Sequence, residues 1–139
     1  MKLFAMFLCV ASLACATVPK IAPAEAAKLV DAGKAILVDV REPSEWEATG
    51  VAAPARLLPK SDFDGDQSQW KPFLAETGAK QIIVYCRTGH RSEMVGAALA
   101  NKGYKVLNAG AFKEWKDAGL PVRPVVNSAT VKPQTTSGR

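Results

Sequence analysis

The sequence holds few of the residues from which disulfide frameworks and metal sites are built. There are three cysteines and one histidine among 139 residues. Cys9 and Cys15 fall within the first 16 residues, so the rest of the chain keeps only Cys86. A lone thiol excludes a framework of internal disulfides. One histidine and one cysteine are too few for a zinc site made by the protein alone, so no metal is expected. A permanent membrane span takes about 20 apolar residues, and the candidate, Leu3 to Ala16, has 14. No run of Lys and Arg interleaved with aromatics is present, so the excess of 18 basic over 13 acidic residues does not point to nucleic acid. That excess fits a solvated surface with a modest pull on small anions. There is no internal repeat. With 48% hydrophobic and 22% charged residues, the chain suits one globular domain with a real core.

The first 16 residues read differently from the rest. Met1-Lys2 is a short positive start, Leu3 to Ala16 carries no charge, and the run closes in Ala14-Cys15-Ala16. This is the layout of a secretory signal peptide with an A-x-A cleavage site. Export is expected, to the periplasm in a Gram-negative cell, with no stable membrane insertion after cleavage. The alternatives are an uncleaved anchor and a lipid on Cys15. Ser12-Leu13-Ala14-Cys15 loosely resembles a bacterial lipobox, but Ser12 stands where a branched apolar residue is expected.

Residues 17 to 122 form the expected domain, and residues 123 to 139, polar and prolyl, a flexible tail. Pro23 to Ala32 reads as a short helix with Pro23 at its start and Gly33 past its end. Ala35-Ile36-Leu37-Val38 is apolar and too short for a helix, which suits a strand buried on both faces. Glu42 to Ala48 suggests helical turns, and Arg56-Leu57-Leu58 a weaker strand. Asp62 to Asp66 reads as a turn, since its glycine and acids are not spaced as a calcium loop requires. Gln69 to Glu76 is a further helix. Ile82 to Tyr85 is the strongest strand, Arg91 to Lys102 a helix with Met94, Val95, Ala98 and Leu99 on its apolar face, Lys105 to Leu107 a strand, and Phe112 to Asp117 a short helix. Strands alternating with helices predict an α/β fold with a parallel sheet. Ligands of such sheets bind beyond the carboxyl ends of the strands.

Beyond the strongest strand comes Cys86-Arg87-Thr88-Gly89-His90-Arg91-Ser92, then the helix. Backbone N–H groups of a short glycine-containing loop can converge on one point and form an anion nest. A helix start adds free N–H donors and about half a positive charge. Arg87 and Arg91 add full charges nearby. Each of these stabilises a thiolate, so Cys86 is expected to be nucleophilic, with a lowered pKa. A thiolate held in this way needs no separate base, and His90 reads as an exposed loop residue. The bland reading of Cys86 is a small buried apolar side chain. Its position after a strand, beside a loop glycine and two arginines, argues against that.

The loop Cys86 to Ser92 resembles the active-site loop of single-domain rhodaneses. Leu37-Val38-Asp39-Val40-Arg41-Glu42-Pro43-Ser44-Glu45-Trp46 is similar to the family's upstream signature. Gly110, Trp115 and Ala118-Gly119-Leu120-Pro121-Val122 are similar to its closing one. Together they span roughly residues 20 to 122. The resemblance implies a five-stranded parallel sheet with helices on both faces. It implies a sulfurtransferase that takes a sulfane sulfur from thiosulfate or a persulfide onto Cys86 and passes it to cyanide, a thiol or a protein. Arg87, Thr88, Gly89, His90 and Arg91 would form the substrate-binding loop, with no organic cofactor. Asp39 and Arg41 read as structural support that ties neighbouring loops. Trp46, Trp70 and Trp115 read as core or rim aromatics.

Two departures from the family pattern stand out. Gly50-Val51-Ala52-Ala53-Pro54-Ala55 lacks the histidine and second glycine usual in relatives, and Ala111 stands where a second glycine is common. Glu45 adds a negative charge near the expected mouth, which would weaken binding of a small dianion. Two other functions compete. A cysteine phosphatase or arsenate reductase would use the same fold, but related phosphatases place five residues between cysteine and arginine. Here four separate Cys86 from Arg91. A binding or sulfur-carrier module for a periplasmic partner would charge Cys86 efficiently and turn over small donors poorly.

Overall fold

The computed structural model describes residues 17–126. The signal peptide expected at residues 1 to 16 and the end of the tail lie outside them. The elements in chain order are α1 (Pro23–Asp31), β1 (Ala35–Asp39), α2 (Pro43–Thr49), β2 (Val51–Ala52), β3 (Arg56–Leu57), α3 (Lys60–Asp64), α4 (Trp70–Glu76), β4 (Gln81–Cys86), α5 (His90–Asn101), β5 (Val106–Ala111), α6 (Phe112–Asp117) and β6 (Val122–Arg123).

The main sheet is parallel, in the order β3-β1-β4-β5. Its two central strands, β1 and β4, are built on the apolar runs Ala35 to Val38 and Ile82 to Tyr85, as a sheet covered on both faces requires. Side chains alternate along β4. Ile82, Val84 and Cys86 enter one core with Val95 and Leu99 of α5 and Trp70 and Phe73 of α4. Ile83 and Tyr85 enter the other with Ala26 of α1 and Phe112 and Trp115 of α6. The period of two therefore turns Cys86 towards α5.

The sheet has four strands where the resemblance implied five. The position of a fifth, beside β5, is held by a single parallel bridge between Lys20 and Asn108. There Asn108 N–H donates to Pro19 C=O at 2.9 Å and Ile21 N–H to Asn108 C=O at 3.0 Å. Pro19 has no N–H to give and Pro23 opens α1, so pairing cannot extend either way.

Two further expectations are corrected. The stretch from Asp62 is partly helical: α3 runs to Asp64, with Phe63 buried in the core. The Asp62 carboxylate accepts N–H groups from Gln69 and Trp70 at 3.0 and 3.1 Å, so it secures the head of α4. Arg123 does not open a loose tail. It pairs antiparallel with Val51, and its guanidinium donates to the carbonyls of Ala53 and Ala55 at 3.1 and 3.0 Å. The three tryptophans are buried, as expected.

Candidate active site

β4 ends on Cys86 itself, which is 0% exposed. Three residues then turn the chain into α5. Gly89 makes this turn possible with φ +92°, a conformation that costs a side-chain-bearing residue energy. A Cβ at Gly89 would only touch Gly110 Cα, at 3.4 Å, so the backbone conformation rather than space calls for glycine. In this turn the Gly89 N–H donates to Cys86 Sγ at 3.0 Å. Ser92 Oγ, in the first turn of α5, lies 3.5 Å from Sγ. Burial alone would push the thiol up. The Ser92 hydroxyl and the N–H groups of Ser92, Thr88 and Gly89 outweigh it and hold the thiol below its usual range.

The hydrogen bonds to the sulfur come from N–H and O–H donors, while Arg91 couples to Cys86 through its charge. Arg91 does not stand free over the sulfur. It makes a bidentate pair with Glu45 of α2, at 2.7 and 2.8 Å. This guanidinium, with the Glu42 N–H, holds the Glu45 carboxyl down at about 2. Arg87, Thr88 and His90 are exposed. Arg87 lines a cavity of about 420 Å³ with Glu45, Phe112, Lys113 and Lys116. Thr88, Gly89 and His90 line a larger one of about 760 Å³ on the side of Lys20 and Asn108. Among the described residues, no three His, Cys, Asp or Glu side chains gather as a metal would need.

Asp39 and Arg41 form a buried pair. Arg41 donates to Asp39 through Nη2 (Oδ2, 2.7 Å) and Nε (Oδ1, 3.0 Å), while Nη1 reaches Thr49 Oγ1 and Nη2 also reaches Gly50 C=O, both at 2.9 Å. The guanidinium lies 4.3 Å from the centre of the Phe112 ring. All three guanidinium nitrogens donate within the fold, so the pair joins the end of β1 to α2, with Phe112 of α6 against it.

Sequence reasoning passed over two residues and gave a third only part of its role. Ser92 was visible in the loop but was given no role. Asn108 is a lone amide inside an apolar strand, and that contrast was the available signal. Glu45 was read as a charge at the mouth, whereas it is the partner of Arg91.

A family model described as the rhodanese-like domain matches residues 22–118. The chain belongs to the rhodanese family. This rhodanese is 33% identical over 97 residues to a protein of Allochromatium vinosum named sulfurtransferase, across 68% of this chain and 84% of that one. It is 30% identical over 94 residues to a putative mitochondrial thiosulfate sulfurtransferase of Schizosaccharomyces pombe, across 59% of this chain and 63% of the relative. A rhodanese-related protein of Thermoplasma volcanium superposes with a TM-score of 0.62 at 26% identity, covering 76% of this chain and 97% of that one. Sulfur transfer is the general chemistry these relatives support.

Proposed function

We propose that this rhodanese moves a sulfane sulfur from a small sulfur anion, such as thiosulfate, or from a persulfide donor to a thiol, cyanide or protein acceptor. The observation that carries the reading is Cys86 Sγ, at the end of the central strand, facing converging donors with its thiol pKa lowered. The thiolate attacks the outer sulfur of the donor. With thiosulfate, the sulfur–sulfur bond breaks and sulfite leaves with the electron pair. The Cys86 persulfide remains. An acceptor thiolate or cyanide then attacks the outer sulfur, and Cys86 departs as a thiolate, which the same donors stabilise. No net oxidant or reductant is needed.

The oxyanion-enzyme alternative fares less well. Four residues between Cys86 and Arg91 make a small loop, and Arg91 is engaged by Glu45 through both terminal nitrogens rather than free to grip phosphate. Export remains part of the proposal, on the strength of the N-terminal pattern. The periplasmic fraction of an expressing Gram-negative cell should contain a chain beginning at Thr17.

The direct test is to incubate reduced protein with thiosulfate, then with a low-molecular-weight persulfide, and weigh the intact chain. A gain of one sulfur atom, absent in Cys86→Ser, is expected. No gain with either donor would overturn the reading and shift the weight to a binding role.

A further inference from the structure

Asn108, in β5, is 3% exposed and makes four side-chain hydrogen bonds. Its Oδ1 accepts the Gly110 N–H at 2.9 Å and lies 2.8 Å from Ser92 Oγ. Its Nδ2 donates to Gly89 C=O and to Glu93 Oε2, both at 3.1 Å. The orientation of the amide is unambiguous, because a backbone N–H can only donate and a carbonyl can only accept.

Ser92 has one hydroxyl hydrogen and three acceptors in reach: Asn108 Oδ1 at 2.8 Å, Gly89 C=O at 3.0 Å and Cys86 Sγ at 3.5 Å. Asn108 Nδ2 already satisfies the Gly89 carbonyl, so the contest is between Oδ1 and Sγ. A neutral Sγ, as in the thiol or at the inner sulfur of a persulfide, is a weak acceptor, and the hydroxyl stays on Oδ1. A thiolate draws a charge-assisted bond, about twice as strong as a neutral one. When the hydroxyl turns to it, Oδ1 still holds the Gly110 N–H and nothing buried is orphaned.

We propose that Asn108 is a positioning residue for Cys86: it holds Gly89 in the turn that aims its N–H at Sγ, and it keeps the Ser92 hydroxyl in reserve for the charged sulfur. This rests on Cys86 being the nucleophile of the proposed function. The charged or titratable groups on the elements about the thiol are Tyr85 of β4, Arg87 of the loop, His90, Arg91 and Glu93 of α5, Glu45 of α2, and Asp39 with Arg41 at the end of β1. The variants below leave all of them in place.

The test follows the rate of Cys86 alkylation by iodoacetamide against pH, on the full chain. Asn108→Leu keeps the volume close and removes every polar contact. The Gly89 carbonyl keeps the Glu93 N–H but loses the amide that fixes its turn, so the Gly89 N–H is no longer held on the sulfur. The alkylation midpoint is expected to rise by about half a unit or more, a roughly threefold slowing near neutral pH. Ser92→Ala alone raises the midpoint, and adding it to Asn108→Leu should raise it further, because the thiolate still draws the hydroxyl once Oδ1 is gone. An unchanged midpoint in folded Asn108→Leu would overturn the proposal. A measurement on the unaltered protein guards against a variant that fails to fold. The side-chain amide resonances of Asn108 should shift with the midpoint of alkylation and lose that titration in Cys86→Ser. Resonances that ignore the titration overturn the proposal whatever the variants do. Sulfur uptake is weighed separately. Linked titration without uptake supports the role of Asn108 and defeats the sulfurtransferase reading. Uptake without linkage defeats only the role of Asn108.

Discussion

Two opposing effects meet at Cys86, and their balance decides its chemistry. Complete burial disfavours a charge, while the Ser92 hydroxyl and the N–H groups of Ser92, Thr88 and Gly89 favour it and prevail. A thiol with a lowered pKa is ionised over a wider range, so reactivity should fall only as pH drops through that lowered value. Replacing Ser92 with alanine removes one donor and leaves the backbone donors in place. The expected result is a higher alkylation midpoint and slower sulfur uptake near neutral pH, with an unchanged fold by circular dichroism. An identical pH profile would show that the backbone alone sets the thiolate. The nucleophile and its loop were legible in the sequence because they are contiguous: strand, cysteine, glycine and helix start lie within a dozen residues. Asn108 was not, because its contacts with Ser92 and Gly89 cross 16 and 19 residues. Nothing local in Val106 to Ala111 announces which way an amide there will face.

Paired elements explain what the single residues could not. Glu45 and Arg91 lie 46 residues apart and tie α2 to α5 beside the loop. No periodicity signals such a pair. Because the Glu45 carboxyl is held down to about 2, the pair contributes fully above the ordinary carboxylate range and is lost only as pH falls towards that value. It therefore persists wherever Cys86 titrates. Glu45→Gln would release Arg91 from a carboxylate. Two gains are expected, a lower Cys86 midpoint and faster uptake of sulfur from thiosulfate, with less effect on an uncharged donor. A thiosulfate rate that does not rise would mean that Glu45 does not limit anionic donors. The Asp39–Arg41 pair works in the opposite regime, with both side chains buried. Asp39→Ala strands a buried guanidinium, and a loss of about 3–5 kcal/mol is expected in a denaturant titration. Elements were otherwise legible where an apolar run met a proline or glycine boundary, as in β1, β4 and α1. They were misread where tertiary contacts override local signals. Phe63 draws Asp62 and Asp64 into a helix, and β2 draws Arg123 into a strand.

At the scale of the molecule, the sheet has a protected edge and the site depends on it. β5 is an outer strand of the four-stranded sheet, and Pro19 to Ile21 cover it with the Lys20–Asn108 bridge. One step earlier, Val18 is buried against α5, where Gly96 leaves it room: a Cβ at Gly96 would come within 2.9 Å of Val18 Cγ2. The Val18 N–H donates to Glu93 Oε1 at 3.2 Å, and Glu93 Oε2 accepts from Asn108, so the segment continues into the hydrogen bonds behind Cys86. A chain shortened to begin at Ile21 loses the Val18 packing, leaves the Asn108 backbone N–H without its carbonyl, and bares part of the β5 edge. An exposed strand edge invites association, and burying a valine is worth about 1.5–3 kcal/mol. The shortened chain should melt at a lower temperature than one beginning at Thr17, elute partly as larger species, and alkylate at Cys86 with an altered pH midpoint. Gly96→Val tests the same seat from the other side without removing any residue. It should cost about 1–3 kcal/mol by overpacking and shift the midpoint in the same sense as the shortened chain. If both changes lower stability while the Cys86 profile stays fixed, the N-terminal segment stabilises the sheet without reaching the sulfur, and the connection through Glu93 carries no chemistry.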